Sequence, residues 1–301
     1  MRGYSKFLTA LFVCALCGAF LAGCSGQSAS SSASSASASA TASASAASGA
    51  STEDLIKELE GLLDSSKPES VTIDIQSTIS VDASAVAGAS AGSQSSSAAS
   101  GEPSMSEITT SVLIKDDSSS DPEKAYLSLG FAQTPFEMYL TGEDVVIVAE
   151  GQAFSGKANE LADLGMGDYT SAGDVMSKNG AAEFATYKDA VESITKETVN
   201  GESVYTVVVD PSKIANDEAT NPLASFSMTG EPAKINLSYT LDADGKMTSA
   251  VMEMSGDAFT FTTNAKFSDY GTTVVPDAPE ATGSLSDLKA LMEAEQAKMA
   301  A

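Results

Sequence analysis

The chain contains no histidine among its 301 residues. That absence removes Ser-His-Asp and Cys-His catalysis, His-ligated zinc and imidazole as a general base. Cysteine is almost as scarce. Cys14 and Cys17 lie inside an apolar N-terminal run and Cys24 directly follows it. Once such a run is removed a single sulfur is left, so no disulfide can form and stability has to come from a packed core. Basic residues are few as well, 16 against 41 acidic ones, for a formal net charge of -25. A surface of that sign repels polyanions, which excludes nucleic acid as a partner and gives the domain no attraction to an anionic lipid surface. Its plain consequence is solubility. No long apolar segment is present either: the run from Leu8 to Leu21 is shorter than the stretch of about 20 residues that crosses a hydrocarbon core as a helix.

What is present begins with that short run. Arg2 and Lys6 precede it and Leu21-Ala22-Gly23-Cys24 ends it, the charge, length and small-residue pattern of a signal peptide over residues 1–23. The last four residues resemble the bacterial lipobox, in which the cysteine thiol receives diacylglycerol, bearing fatty acyl groups such as palmitate, before cleavage. The resemblance implies a mature chain that starts at lipidated Cys24, held on the extracytoplasmic side of the cell membrane, with a charge of about -27. Residues 28–50 are serine and alanine apart from Thr41 and Gly49, too little apolar surface to offset the entropy of ordering. We read residues 24–51 as a disordered tether spanning on the order of 30 Å. A second polar tract, residues 83–104, reads as a disordered loop within the folded region.

After the tether, Leu55, Ile56, Leu59, Leu62 and Leu63 share one helical face, with Ser51 or Thr52 as its cap. The period then changes. Val71, Ile73, Ile75, Ile79 and Val81 alternate with Thr72, Asp74, Gln76, Thr78 and Asp82, the pattern of a long half-buried strand. Similar alternation recurs through Ile108–Ile114, Leu127–Phe131, Phe136–Leu140 and Val145–Val148. A helical stretch is expected between Tyr169 and Ile194, using Val175, Met176, Phe184, Tyr187, Ala190, Val191 and Ile194. Strands return around the hairpin signals Asn200-Gly201 and Asp244-Gly245, with a short helix near Pro211, and close with Phe259, Phe261, Thr263, Ala265 and Phe267. About ten antiparallel strands with one apolar face each, plus a few helices, make an α+β domain. Ser284 caps a last short helix bearing Leu285, Leu288, Leu291 and Met292, expected to dock weakly or not at all because its apolar stripe covers only about two turns.

The segments "VNGESVYTVVVDP", "YTLDADGKMTSAVMEM" and "AKFSDYGTTVVPDAP", between Asn200 and Pro279, resemble the LolA, LppX and LprG group of lipoprotein and acylated-lipid carriers. The resemblance implies one domain over residues 52–279, followed by a tail over residues 280–301. It further implies a strongly curved antiparallel sheet, a half-barrel covered by helices on its concave face, that holds acyl chains. The family has no catalytic residue to carry over and no cofactor.

Other chemistry is poorly supported. Ser193 to Lys196 and Ser286 to Lys289 match Ser-x-x-Lys, and Ser177-Lys178-Asn179 imitates a second penicillin-binding motif, but no Lys-Thr-Gly accompanies them. Asp242, Asp244 and Gly245 hint at a calcium loop, yet glycine falls at position four rather than six, so a hairpin turn is the better reading. Nothing singles out a carboxylate pair for glycoside hydrolysis. Met138, Met228, Met247, Met252 and Met254 fit core packing, or an adaptable cavity.

Three function classes follow: a membrane-anchored protein that binds a lipid or acylated molecule in an apolar cavity, for local transfer, presentation or sensing, a ligand-free structural or interaction protein with an envelope partner, and, least supported, an enzyme. For the first, Ile73, Ile75, Leu127, Leu129, Met138, Leu140, Phe259 and Phe261 are the expected ligand-lining residues. No metal, cofactor or catalytic residue is expected. Internal volume separates the first two classes.

Overall fold

The computed structural model describes residues 45–46, 50–65, 70–82, 105–131, 134–166, 172, 187–214, 234–256 and 259–299. Residues 1–23, read as a signal peptide, Cys24, residues 83–104, Ser177, Lys178, Asn179, Val175, Met176, Phe184 and Met228 lie outside the described residues.

Helix α1, Thr52–Ser65, starts at a reciprocal cap. Ser51 Oγ accepts the Asp54 N–H at 3.2 Å while the Ser51 N–H donates to Asp54 Oδ2 at 3.3 Å. Leu55, Leu59 and Leu63 form its buried face, as their spacing predicts. Salt bridges from Glu60 to Lys188 (3.1 Å) and from Glu58 to Lys196 (2.7 Å) fix its polar side. The Lys196 hydrogen bond holds the Glu58 carboxyl below the usual carboxylate range.

The strands are β1 (Ser45–Ala46), β2 (Ser70–Asp82), β3 (Met105–Asp117), β4 (Lys124–Phe131), β5 (Thr134–Thr141), β6 (Asp144–Ala149) and β7 (Gln152–Lys157) in the first part of the chain. Then come β8 (Val191–Val199), β9 (Glu202–Val209), β10 (Lys234–Leu241), β11 (Met247–Ser255), β12 (Phe259–Ser268) and β13 (Gly283–Ser284). All belong to one unclosed sheet of order β1-β8-β9-β10-β11-β12-β2-β3-β4-β5-β6-β7-β13. Every pairing is antiparallel except β13 with β7. The sheet is two consecutive meanders, β2 to β7 and β8 to β12, joined where the last long strand returns to the first, from Phe259↔Val81 to Ser268↔Thr72.

The turns follow their residues. Asn200 and Gly201 both take positive φ, 55° and 90°, the geometry a two-residue hairpin needs to match strand twist. At the β10–β11 turn, Asp242 Oδ1 accepts the N–H groups of Asp244 (2.9 Å) and Lys246 (2.8 Å), so this carboxylate serves the hairpin.

Several expectations need correction. Among the described residues thirteen strands form, where about ten are expected. Two of them are two residues long, and β7 carries no readable alternation because its adjacent Ala153 and Phe154 are both buried. Ser45 and Ala46, inside the stretch read as a structureless tether, pair with Thr198 and Glu197 of β8. Val191 and Ile194 belong to β8 instead of a helix, and Lys188–Ala190 is a single 3-10 turn. The short helix near Pro211 is likewise one 3-10 turn, Pro211–Lys213.

The largest correction concerns helix α2, Leu285–Met299. Ser284 caps it as expected, accepting the Asp287 N–H at 3.3 Å and donating its own N–H to Asp287 Oδ2 at 2.9 Å. Far from docking weakly, its Leu285, Leu288 and Met292 are buried in a core with β2 to β7. The fit is close: a Cβ added to Gly156 would stand 2.7 Å from Leu285 Cγ. Residues 269–282 carry the chain to this helix across the opposite, polar face. Thr273 Oγ1 lies 3.2 Å from Thr72 Oγ1, Lys115 Nζ donates to the Val274 carbonyl, and Lys124 lies 3.8 Å from Asp277.

Candidate functional site

Register places most of the buried apolar side chains of the long strands on one face. The series Phe267↔Ile73↔Ile114↔Leu127↔Met138↔Ile147↔Phe154 crosses one half of the sheet, and Phe261↔Met254↔Ile235 enters the other. Two cores form on this face. The first joins β2 to β7 with Leu285, Leu288 and Met292 of α2; the second joins β8 to β12 with Leu55, Leu59 and Leu63 of α1. Phe267 packs against both.

The line between them is a row of hydroxyls. Thr263, Ser77 and Thr110 are register partners on β12, β2 and β3 and all are buried. Ser77 Oγ lies 3.0 Å from Thr263 Oγ1, so each hydroxyl relieves the other's desolvation. On one side of the row stand Phe261 and Ile79 of the second core, on the other Ala265, Ile75 and Val112 of the first.

Beside this row the covering thins. Ile79, Leu127 and Leu129 are half-buried, and Ile108, the register partner of Ile79, is 48% exposed. Ile79 and Ile108 stand on one side of the hydroxyl row and Leu127 and Leu129 on the other, on a face whose other apolar residues are mostly buried.

The eight sequence-predicted residues share that face. Ile73, Ile75, Met138 and Leu140 are buried in the first core, and Leu127 and Leu129 pack at its partly open margin. Phe259 and Phe261 are buried in the second core, across the hydroxyl row. Sequence reasoning did not select Ile79, Ile108 or Thr110 for the site, although all three continue the alternation of their strands. Met138, Met247, Met252 and Met254 are core residues.

The motifs with catalytic overtones are otherwise engaged. Ser193 and Lys196 lie on a strand, with Lys196 bound to Glu58, and Ser286 Oγ is 2.8 Å from the capping Ser284 Oγ. On the polar face, the Tyr126 and Tyr139 hydroxyls both donate to Glu137, at 2.7 and 3.2 Å. Burial and the Glu137 charge push Tyr139 up to about 12, so this phenol stays a donor. Among the described residues, no helix is long and apolar enough to cross a membrane.

No family model matches the chain, and no curated protein does. Solved structures similar to it include the Mycobacterium tuberculosis lipoprotein LppX, with a TM-score of 0.39 and 14% identity over 75% of this chain and 100% of that one. LprF from Mycobacterium bovis is similar with a TM-score of 0.37 and 10% identity, over 75% of this chain and 98% of its own. LppX is one of the group that the C-terminal motifs resemble. At such identities no neighbour's residues can be carried onto this chain, and its chemistry has to be argued from its own side chains.

Proposed function

We propose that this chain is a lipid-anchored protein of the cell envelope that binds a lipid or acylated molecule along the apolar sheet face, for local transfer, presentation or sensing. The observation that carries the reading is that Ile79, Ile108, Leu127 and Leu129, on either side of the hydroxyl row, are left partly uncovered on the apolar face that α1 and α2 share. We take this face as the concave side of a curved sheet, with Ile73, Ile75, Met138, Leu140, Phe259 and Phe261 as its deeper lining. A sixteen-carbon chain buried there gains up to about 13 kcal/mol at roughly 0.8 kcal/mol per methylene before ordering costs, enough for retention through purification. A chain fixed to the bilayer at Cys24 cannot diffuse away, so its ligand exchange is local.

Residues 51–301, purified natively and extracted with organic solvent, are expected to release lipid detectable by mass spectrometry. Leu129→Arg is expected to lower recovery at least tenfold while the circular dichroism spectrum is kept, since an unpaired charge at that position opposes an acyl chain. A wild-type extract free of lipid, with no uptake of a fluorescent fatty acid, would leave the ligand-free envelope interaction protein as the better reading.

The anchor has its own test. Metabolic labelling with an alkyne fatty acid is expected to mark the wild-type chain and to leave Cys24→Ala unlabelled, unprocessed and released from the membrane fraction. Equal labelling of both chains refutes acylation at Cys24.

A further inference from the structure

Asp116 lies on the apolar face, in phase with Val112 and Ile114 along β3. Its register partners are Val71 of β2 and Ala125 of β4, both fully buried, and Leu140 of β5 follows Ala125. Asp116 itself is 1% exposed; the Ser118 hydroxyl and N–H approach its carboxyl, but neither oxygen completes a hydrogen bond of good geometry. A buried polar group in that condition calls for a specific explanation.

The charged groups acting on it are Glu123 and Asp117, both acidic. Lys115, its neighbour on β3, points to the opposite face, where it donates to the Val274 carbonyl. Lys124, the register partner of Asp117, also points away and approaches Asp277. The strands on either side therefore present no cation to the carboxyl. An ionised carboxylate here would be desolvated, without a cation beside it and repelled by Glu123 and Asp117, with Ser118 alone offsetting part of that cost, whereas a neutral acid can remain.

We propose that Asp116 is a proton-set joint in the first core: the neutral acid keeps this corner of the sheet closed, and its ionisation loosens the packing of β2, β3 and β4 around it. Burial pushes the carboxyl up to about 7; Ser118 works against the shift, and Glu123 and Asp117 add to it. The sign follows from linkage. Between the ordinary carboxylate range, about 4, and about 7, the folded state holds a proton that the unfolded state has lost, so stability falls as pH rises. Above about 7 both states are ionised and the contribution is level.

The test is urea unfolding of the full chain in mild detergent, followed by tyrosine fluorescence, for wild type and Asp116→Asn from about pH 4.5 to 8.5. Comparing the two at each pH cancels the titration of the other carboxylates. The folding constant of the variant relative to wild type is expected to rise up to about tenfold per pH unit below 7 and then stay flat. A ratio independent of pH overturns the proposal. Should the variant fail to fold, infrared spectroscopy of the wild type decides: a protonated-carboxyl carbonyl band is expected at about pH 6 and lost by about pH 8.5, when ordinary carboxylates are ionised throughout. A folded wild type lacking that band at about pH 6 equally overturns it.

Discussion

A chain ending at Thr282 is expected to lose most or all of its cooperative fold. Truncation there removes Leu285, Leu288 and Met292, all buried against the β2 to β7 half, and exposes Phe154 and the groove over Gly156 into which Leu285 fits. Three such side chains at about 1.5–3 kcal/mol each come to roughly 5–9 kcal/mol, against a total stability of about 5–15 kcal/mol for an ordinary domain. Thermal melts followed by circular dichroism should show either no folded baseline or a fall of more than about 10 °C. Leu288→Ala alone should cost about 2–5 kcal/mol, while Leu291→Ala, whose side chain is 38% exposed, should change stability by less than about 0.5 kcal/mol. An unchanged melting temperature after truncation would place the helix outside the core.

Phe261→Ala is expected to be the most damaging single substitution on the sheet face, at about 3–5 kcal/mol in urea unfolding with an unchanged slope. Phe261 is 0% exposed and stands between its register partners Met254 and Ile79, beside the hydroxyl row that separates the two cores. The cavity left by its ring would lie between partners on two neighbouring hydrogen-bonded strands, which limits collapse. A loss below about 1 kcal/mol would show that the boundary between the cores is already loosely packed.

Much of the sheet was legible because period-two alternation is a direct consequence of having one buried face. Val71, Ile73 and Ile75, or Phe259 and Phe261, state their orientation in the sequence, and register did no more than align them. The turn residues were equally explicit at Asn200-Gly201. What could not be read was partnership. The apolar stripe of α2 is short, and its length says nothing about whether a matching groove exists; that groove needs Phe154 and Gly156 on a strand whose alternation is hidden by two adjacent buried residues. For the same reason the site was only partly legible. Leu127 and Leu129 were found because they are apolar and in phase. Ile108, Thr110, Val112, Ile114 and Asp116 form one continuous series on β3, and the phase that identifies the isoleucines also puts the threonine and the aspartate inside. Polarity argued against that placement, and periodicity decided it.

Each helix packs on the half of the sheet that lies far from it in the chain. α1 precedes β2 yet completes the core of β8 to β12, and α2 follows β12 yet completes the core of β2 to β7. The two meanders are therefore not separable folding units, even though each has its own core: a cut between them would leave each fragment holding the other's cover. While the polypeptide emerges in order, the first half has all its strands long before residue 292 is made, but not the side chains that seal it. Contacts of such long separation form late. A nascent chain of this design therefore keeps its first core unsealed until α2 has been made.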